Sequence, residues 1–123
     1  MIHGIGMDIV EIERIETLIK RQPKFLERVL TEDERKRYFS YKGKRRAEYA
    51  AGRFAAKEAF SKAFGTGIGE QLSFQDIETA ADEKGKPYIF KPFSKGVHLS
   101  ITHSKHFAAA QVIIEGENKA EGS

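Results

Sequence analysis

The sequence contains no cysteine among its 123 residues. Disulfide bonds, thiolate metal sites and cysteine nucleophiles are therefore excluded, and the composition fits a reducing cytoplasm, where we expect the protein to be. The N-terminus has no apolar core of the signal-peptide kind, and no apolar run is long enough to span a membrane. We therefore expect no membrane partner.

Several common motifs are also missing. Neither the Gly-Lys-Ser/Thr ending of a P-loop nor a Gly-x-Gly-x-x-Gly pattern occurs, so neither nucleotide-binding fingerprint applies. The four histidines show no His-x-x-x-His spacing, which argues against a zinc site. No serine lies in a Gly-x-Ser-x-Gly context, so a serine hydrolase triad is unsupported.

Charge is plentiful but unevenly distributed. Charged residues make up 32% of the sequence and hydrophobic residues 40%, as in a globular domain, and the formal net charge is +3. Basic side chains concentrate between positions 14 and 46. Such a surface suits an acidic protein, a polyphosphate ligand or nucleic acid, although interleaved acidic residues weaken the nucleic-acid interpretation. An ordinary solvated surface explains most of these charges equally well.

A chain of this length is expected to form one domain with a single core. Hydrophobic periodicity and turn residues predict alternating strands and helices. The predicted strands cover residues 1–9, 73–80, 88–90, 97–102 and 107–115. The predicted helices cover residues 10–21, 24–30, 32–39 and 45–64. Thr31 and Glu34 form a predicted capping box before the third helix, and residues 116–123 form a polar tail.

The end of the longest predicted helix and the loop behind it carry the strongest functional signal. An apolar stripe with helical spacing consists of Ala56, Ala59, Phe60, Ala63 and Phe64. Glu58 and Lys62 fall almost opposite this stripe, one turn apart, with Phe54 one turn earlier on the same face. Together with the loop of residues 65–69, Gly-Thr-Gly-Ile-Gly, this face has the groups that bind a metal ion and a phosphate.

Each of these features also has a simpler interpretation. A Glu–Lys pair spaced i, i+4 on an exposed helix is usually a solvated ion pair that contributes about 0.2–0.5 kcal/mol. Gly65 alone would be an ordinary helix C-cap. Glycines at positions 65, 67 and 69 go beyond a cap, because alternating glycines allow the backbone to approach a ligand closely.

Two further polar residues stand out against apolar surroundings. Asp8 lies near the end of an otherwise apolar strand, where it is either the N-cap of the next helix or a ligand for a hard cation such as Mg²⁺. His103 lies where a predicted strand ends and is either a structural histidine or a neighbour of a phosphate. A metal site requires Asp8 and Glu58 to converge in space.

The last predicted strand has two different faces. Alternation places Ala108, Ala110, Val112 and Ile114 on a purely apolar face, which we expect to join the core. The opposite face carries Ala109, Gln111 and Ile113. This second face is either solvated or packed against symmetry-related copies of the chain, where identical Gln111 amides would find partners in one another.

Four motifs in this order resemble holo-acyl-carrier-protein synthase, the family of short bacterial 4′-phosphopantetheinyl transferases. They are Gly4-Ile-Gly-Met-Asp8, residues 52–65 with a Phe-x-x-Lys-Glu-x-x-x-Lys core, the Gly-Thr-Gly-Ile-Gly loop, and Ser100-Ile-Thr-His-Ser104. The resemblance covers residues 1–115, which we expect to be the transferase domain. It implies an α+β fold, mainly an antiparallel sheet wrapped around a long helix, which assembles as a homotrimer with clefts between subunits.

The resemblance also implies an activity. The enzyme would transfer the phosphopantetheine arm of coenzyme A to a serine of apo acyl carrier protein, in fatty acid biosynthesis, and release adenosine 3′,5′-bisphosphate. Asp8 and Glu58 would ligate Mg²⁺, and Lys62 would lie beside the pyrophosphate. The chemistry also needs an acceptor for the serine proton, and the simplest is Glu58 or a metal-bound water near it. The residues of the coenzyme A groove would be Gly65, Thr66, Gly67 and Ile68, with Lys44, Arg45 and Arg53 at the phosphates and His103 nearby.

The same resemblance implies that the first-helix region docks the acidic carrier protein. The residues concerned are Arg14, Arg21, Lys24 and Arg28, with Phe25 as an aromatic anchor. The competing function is a non-enzymatic module whose basic segments bind nucleic acid, a partner that we do not expect. Such a module would show steeply salt-dependent binding and no response to Mg²⁺ or coenzyme A.

Overall fold

The computed structural model describes residues 1–116. Within this range the strands are β1 (Ile2–Glu11), β2 (Glu78–Ala81), β3 (Pro87–Lys91), β4 (Val97–His103) and β5 (Phe107–Glu115). The helices are α1 (Ile12–Arg21), α2 (Lys24–Val29), α3 (Glu32–Ser40) and α4 (Lys44–Phe64), and a 3₁₀ turn spans Phe74–Asp76. Outside residues 73–80, every predicted boundary lies within two residues of the observed one.

The strands pair as the α+β prediction required, since each pairing in the described part of the chain is antiparallel. β1, β5 and β4 form one sheet in that order, and β2 and β3 form a separate hairpin. β5 is therefore the central strand of the larger sheet, and β1 and β4 are its opposite edges. The predicted alternation of β5 is confirmed: Ala108, Ala110, Val112 and Ile114 are buried, whereas Gln111 is exposed.

The long helix α4 lies against the inner face of the three-stranded sheet. Gly4 and Gly6 of β1 allow a very close approach, because a Cβ atom at either position would lie 1.9 Å from a helix carbonyl oxygen. Those oxygens belong to Ala63 and Ala59, respectively. A larger residue at either position would push the strand off the helix. The contact therefore fixes Asp8, two residues beyond Gly6, relative to the last turns of α4.

The predicted one-sided stripe of α4 is wrong in part. Ala56, Ala59, Phe60 and Ala63 are buried as predicted, but Phe64 is 44% exposed. The helix is buried around most of its circumference, because the sheet, α1 and α3 all pack against it. Even Lys57 is fully buried, which a hydrophobic pattern cannot reveal.

The strand predicted over residues 73–80 is also wrong at its start. Phe74–Asp76 form a 3₁₀ turn, and the strand begins only at Glu78. The Asp76 carboxylate accepts from the Ser73 N–H at 2.8 Å, and the Ser73 hydroxyl accepts from the Asp76 N–H at 3.3 Å. Such reciprocal bonds offer the backbone an alternative to strand pairing.

Two predictions concern segment ends. The capping box before α3 is confirmed, because Thr31 and Glu34 each accept a hydrogen bond from the backbone N–H of the other. The polar tail predicted for residues 116–123 lies outside the described residues except for Gly116, whose N–H donates to the Met1 carbonyl at 3.0 Å. In the described range, no helix is both long and apolar enough to cross a membrane.

Candidate active site

Asp8 and Lys62 form an ion pair at the β1 edge of the sheet. The Lys62 ammonium lies 3.2 Å from Oδ1 of Asp8 and donates to the Met7 carbonyl at 3.0 Å. Asp8 belongs to β1, and the N-cap of α1 is Glu11, which makes no side-chain capping bond. The N-cap interpretation of Asp8 is therefore wrong, and its carboxylate points toward α4 instead.

Glu58 stands one turn before Lys62 on α4 and interacts electrostatically with both members of this pair. Partial burial raises the pKa of Glu58 above its usual value, the charge of Asp8 raises it further, and Lys62 lowers it only in part. The structure thus brings together Asp8, Glu58 and Lys62, which we call the carboxylate cluster. Two carboxylates beside one ammonium leave an excess of negative charge that a bound cation would neutralise.

The donors of the carboxylate cluster suit a cation that a substrate helps to hold. Among residues 1–116, no group of three or more His, Cys, Asp or Glu side chains is arranged to hold a metal ion. Mg²⁺, however, is commonly bound through one or two carboxylates and completed by water and substrate phosphates. Asp8 and Glu58 supply those carboxylates, so this pair fits Mg²⁺ in a phosphate-containing complex.

The glycine loop begins where α4 ends. Gly65 and Gly67 have φ values of 105° and 69°, in the left-handed region that favours glycine. Both N–H groups donate to the Ser61 carbonyl, at 3.0 and 3.1 Å, so the simpler interpretation of Gly65 as a C-cap is confirmed. A Cβ atom at Gly65 or Gly67 would meet nothing within 4 Å, and Thr66 is exposed while Ile68 is half-buried. The loop therefore presents open backbone beside the carboxylate cluster.

A second polar site involves β4, at the opposite edge of the sheet. A pocket there is lined by three arginines, two aromatic residues, Glu48 and His103, among others. We call it the basic pocket; its arginines are Arg37, Arg45 and Arg53, and its aromatic residues are Tyr41 and Tyr49. The predicted phosphate-binding residues Arg45, Arg53 and His103 therefore share one pocket. Lys44 does not line it and faces a neighbouring depression with Lys105 and His106.

Arg53 is the most constrained of the predicted phosphate-binding residues. Its Nε donates to Oγ1 of Thr79 at 3.0 Å, and its guanidinium carbon lies 4.4 Å from the centroid of the Tyr49 ring. Burial lowers the pKa of Arg53 and raises the pKa of Tyr49 to about 12. Nδ1 of His103 lies 3.6 Å from the Glu48 carboxylate, so His103 has a polar partner on α4.

The sequence interpretation missed Arg37, Glu48, Tyr49 and Thr79. Arg45, Tyr49 and Arg53 are spaced i, i+4, i+8, which places them on one face of α4. That spacing was the available signal for the pocket. Thr79 gave no such signal, because it comes from β2 and meets Arg53 only in the folded chain.

The predicted site residues fall into two separate groups within one chain. The carboxylate cluster and the glycine loop lie at the β1 edge and the C-terminal end of α4. The basic pocket involves β4 and the first half of α4, and no member of the carboxylate cluster lines it. The predicted metal ligands and the predicted phosphate-binding residues thus belong to different sites of the described chain.

The predicted docking segment is only partly exposed. Arg14, Arg21, Lys24 and Arg28 are exposed and form a basic surface along α1 and α2. Phe25 is only 6% exposed, so it does not offer a free aromatic anchor. Its ring lies 6.0 Å from that of Phe54, which in turn lies 5.5 Å from that of Phe74. Phe54 therefore packs against its own subunit, contrary to the prediction that it faces away from the core.

Comparison with known proteins places the chain in one family. Residues 4–115 match the 4′-phosphopantetheinyl transferase superfamily. The chain is similar to the holo-[acyl-carrier-protein] synthase of Bacillus subtilis (strain 168), at 60% identity over 117 residues that cover 94% of this chain and 97% of that one. It is also similar to the protein of that name from Anoxybacillus flavithermus, at 59% identity over 116 residues that cover 94% and 97%.

Solved structures of the same kind have the same fold. A holo-(acyl-carrier-protein) synthase from Bacillus anthracis str. Ames, in complex with CoA (3′,5′-ADP), matches with a TM-score of 0.86 and 55% identity, covering 95% of this chain and 99% of that one. The Helicobacter pylori holo-[acyl-carrier-protein] synthase in complex with coenzyme A matches with a TM-score of 0.78 and 40% identity, covering 90% and 99%.

Proposed function

Because the chain belongs to the 4′-phosphopantetheinyl transferase superfamily, we propose that its carboxylate cluster is the centre of phosphopantetheine transfer. The reaction moves the 4′-phosphopantetheine moiety of coenzyme A to a serine of apo acyl carrier protein, as a step of fatty acid biosynthesis, and releases adenosine 3′,5′-bisphosphate. The observation that supports this location best is the convergence of Asp8, Glu58 and Lys62 from two distant parts of the chain.

Asp8 and Glu58 would hold Mg²⁺ together with pyrophosphate oxygens of coenzyme A. The cation would supply electrostatic stabilisation to a pyrophosphate whose accumulated negative charge opposes nucleophilic attack. The pKa of Glu58 is raised first by partial burial and then by the charge of Asp8, and a cation between the two carboxylates would relieve the second of these effects.

The remaining chemistry belongs to side chains of the chain itself. The serine oxygen of the carrier attacks the phosphorus next to the pantetheine, and the bond from this phosphorus to the bridging oxygen of adenosine 3′,5′-bisphosphate breaks. The serine proton passes to Glu58 or to a water near it, which acts as the general base. Lys62 lies 3.2 Å from Asp8, where its ammonium balances the charge that develops on the departing phosphate.

Coenzyme A binding would use both the glycine loop and the basic pocket. The open backbone of the loop, Gly65, Thr66, Gly67 and Ile68, would line the groove beside the carboxylate cluster. Arg45, Arg53 and His103 would contact phosphates in the basic pocket, with Lys44 at its margin. An arginine is well suited to this role because its planar fork matches phosphate oxygens.

A trimer would explain why these two groups are separate in one chain. The outer face of the sheet exposes Ile5, Met7 and Ile9, which retain 55%, 63% and 66% of their accessible surface. They lie beside the outward residues of β5, with Met7 directly opposite Gln111. A contiguous apolar face of this kind marks an interaction surface, and we assign it to two further copies of the chain, with Gln111 at the axis.

The basic pocket supports this assembly by its size. Its volume is about 190 Å³, below the roughly 300–1,000 Å³ of sites that enclose a ligand of this class. A carboxylate cluster of one subunit facing the basic pocket of the next would complete the cleft. The exposed basic surface of α1 and α2 would then dock the acidic carrier protein, and the activity would take place in the cytoplasm.

The function is tested by incubating the purified chain with coenzyme A, Mg²⁺ and an apo acyl carrier protein and measuring the carrier by mass spectrometry. Gain of one phosphopantetheine group on the carrier serine, lost with a chelator, is the expected result. No mass gain with any carrier, together with salt-dependent binding to DNA or RNA, would favour the nucleic-acid module instead.

The shared cleft is tested by mixing two inactive variants. Asp8→Asn damages the carboxylate cluster and Arg53→Met damages the basic pocket. If each site uses both groups from different subunits, hybrid trimers contain some intact sites, and activity partly returns after subunit exchange. No recovery despite demonstrated exchange, or a light-scattering mass of one subunit for the active enzyme, would contradict the trimer.

A further inference from the structure

The Glu34 carboxylate lies in the interior and accepts four hydrogen bonds. Oε1 accepts from the Lys57 ammonium at 2.6 Å and from the Thr31 N–H at 2.9 Å. Oε2 accepts from both the N–H and the hydroxyl of Thr79, each at 2.7 Å. The side chains of Glu34 and Lys57 have no exposed surface. This arrangement joins α3, α4 and β2 at one point.

The donor and acceptor roles at the Thr79 hydroxyl follow from its partners. A carboxylate that holds the charge opposite Lys57 only accepts hydrogen bonds, so the Thr79 O–H must donate to Glu34. The guanidinium of Arg53 only donates, so its Nε–H must be accepted by the Thr79 oxygen at 3.0 Å. The Thr79 hydroxyl therefore links the immobile Glu34 carboxylate to Arg53 and restricts the orientation of the guanidinium.

Arg53 is held on one edge and one face. Thr79 holds the Nε edge, and the ring of Tyr49 lies under the guanidinium, 4.4 Å from its central carbon. Among residues 1–116, Arg53 makes no other side-chain hydrogen bond, so both terminal nitrogens are free to face the basic pocket. These two nitrogens are the pair that grips a phosphate in a bidentate contact.

We propose that Thr79 is a positioning residue for coenzyme A: its hydroxyl, anchored on Glu34, orients the Arg53 fork toward the phosphates of the substrate. Thr79 is buried and does not line the basic pocket, so it acts only through Arg53. The inference rests on the proposed function of Arg53 as a phosphate-binding residue. Free rotation of the guanidinium would otherwise have to be lost on binding, which weakens affinity.

The test compares Thr79→Val with Thr79→Ser. Valine has the shape of threonine without the hydroxyl and keeps the backbone N–H bond to Glu34. Isothermal titration with coenzyme A, without carrier, should give a dissociation constant about tenfold higher for Thr79→Val and close to wild type for Thr79→Ser. In the transfer assay the KM for coenzyme A should rise by a similar factor, whereas kcat and the KM for the carrier change little.

A double-mutant cycle with Arg53→Met separates positioning from general structural damage. If Thr79 acts through Arg53, adding Thr79→Val to Arg53→Met causes no further loss of coenzyme A affinity. A purely structural role would lower the affinity by the same factor in both backgrounds, and that result would overturn the proposal. Unchanged coenzyme A affinity of Thr79→Val would overturn it as well.

The outcomes also distinguish this proposal from the proposed function. Absence of transfer by the wild-type chain contradicts the function itself, and wild-type affinity of Arg53→Met contradicts the role of Arg53, which removes the basis for Thr79. Thermal unfolding checks that each variant is folded at the assay temperature. If Thr79→Val is not folded, Thr79→Ala, which also keeps the backbone bond, takes its place in the cycle with the same two expectations.

Discussion

Lys57 and Lys62 lie five residues apart on helix α4, and each forms an ion pair with a carboxylate from another element. The Lys57–Glu34 distance is 2.6 Å, and neither side chain has any exposed surface. The Lys62–Asp8 distance is 3.2 Å, and these side chains are 50% and 17% exposed. Both pairs join a lysine of α4 to a carboxylate, but only one of them reaches solvent. We call Lys57–Glu34 the closed pair and Lys62–Asp8 the open pair.

The closed pair has no capacity left for a ligand. Lys57 donates to Glu34, to the Val29 carbonyl and to the Phe74 carbonyl, so all three of its hydrogens have acceptors. Burial lowers the pKa of the Lys57 ammonium, and the charge of Glu34 opposes this shift. A buried ion pair survives only when such additional bonds compensate for lost hydration. Lys57 and Glu34 are thus structural residues that connect five segments, α2, α3, α4, the 3₁₀ turn and β2.

The open pair has spare capacity. Lys62 is half in solvent, and Asp8 has a second carboxylate oxygen. Glu58 adds a carboxylate whose pKa is raised by partial burial and, further, by the charge of Asp8. Charges in this state cost the fold little when they are changed, but they are free to bind an incoming ion or phosphate. We conclude that the two lysines of this helix have different roles: Lys57 stabilises the fold, and Lys62 is available for the reaction.

The largest expected effect comes from breaking the closed pair. Lys57→Met leaves the buried Glu34 charge without its ammonium, and removal of one partner of such a pair costs about 3–5 kcal/mol. This is a large share of the roughly 5–15 kcal/mol that stabilises a typical domain. Urea unfolding should therefore show a much lower midpoint for Lys57→Met than for the wild type.

Lys62→Met is the matched control for this substitution. It makes the same chemical change five residues away, in a pair that is partly exposed, and we expect it to alter the free energy of unfolding by less than about 1 kcal/mol. A similar loss of stability in both variants would show that burial does not distinguish the two pairs.

The next effect concerns catalysis at the open pair. Asp8→Asn or Glu58→Gln should lower kcat/KM by about 10²–10³-fold, the typical cost of losing a group that stabilises transition-state charge. The free energy of unfolding should stay near that of the wild type, and excess Mg²⁺ should restore activity at most in part. If both variants keep near wild-type activity in a chelated buffer, the two-carboxylate site is wrong.

The sequence predicted the residues of the open pair as site residues, although not the ion pair between them, because local patterns single out each residue. Glu58 and Lys62 are one helical turn apart, and the glycines before Asp8 allow the strand to lie on α4. The resemblance to a family then connected Asp8 with Glu58. Convergence in space became visible only in the structure, where the Asp8 charge acts on Glu58.

The closed pair could not be predicted in the same way. Glu34 lies 23 residues before Lys57 and 45 before Thr79, and periodicity relates only residues a few positions apart. In the sequence, Lys57 is a charged residue on an amphipathic helix, where exposure is the ordinary expectation. The prediction that Phe25 is an exposed aromatic anchor was wrong for a related reason. Its basic sequence neighbours do not show that its ring packs inward against Phe54.

A smaller effect is expected for the exposed basic residues that are proposed to contact the carrier protein and not the reacting groups. Arg14→Glu or Arg21→Glu should raise the KM for the carrier protein by about tenfold, mainly through a slower association that salt screens. The KM for coenzyme A should hardly change. Lys84→Glu, which makes the same charge change in an exposed turn, is the control. Equal damage to both constants would indicate a misfolded or reassembled protein instead of a docking surface.

The smallest expected effect is a change of thermal stability with pH that arises from Glu58. It reports on the charges around the open pair without an activity assay. A carboxyl group whose pKa is raised on folding contributes stability that is fully present below the usual pKa of 4.5 and is lost as pH rises through the higher folded value. In a chelated buffer, the melting temperature of Glu58→Gln should therefore match the wild type near pH 4 and exceed it slightly at neutral pH.

Mg²⁺ should reverse this difference. A cation bound with substrate phosphates between Asp8 and Glu58 relieves their repulsion, so Mg²⁺ together with coenzyme A should stabilise the wild type against heat more than Glu58→Gln at neutral pH. Glu13→Gln, an exposed carboxylate on α1, should behave like the wild type in both buffers. A wild type that is already the more stable protein in chelated buffer at neutral pH would mean that Lys62 alone satisfies both carboxylates. The carboxylates around Lys62 would then carry no unbalanced negative charge to attract a cation. The open pair would differ from the closed pair Lys57–Glu34 only in its exposure to solvent.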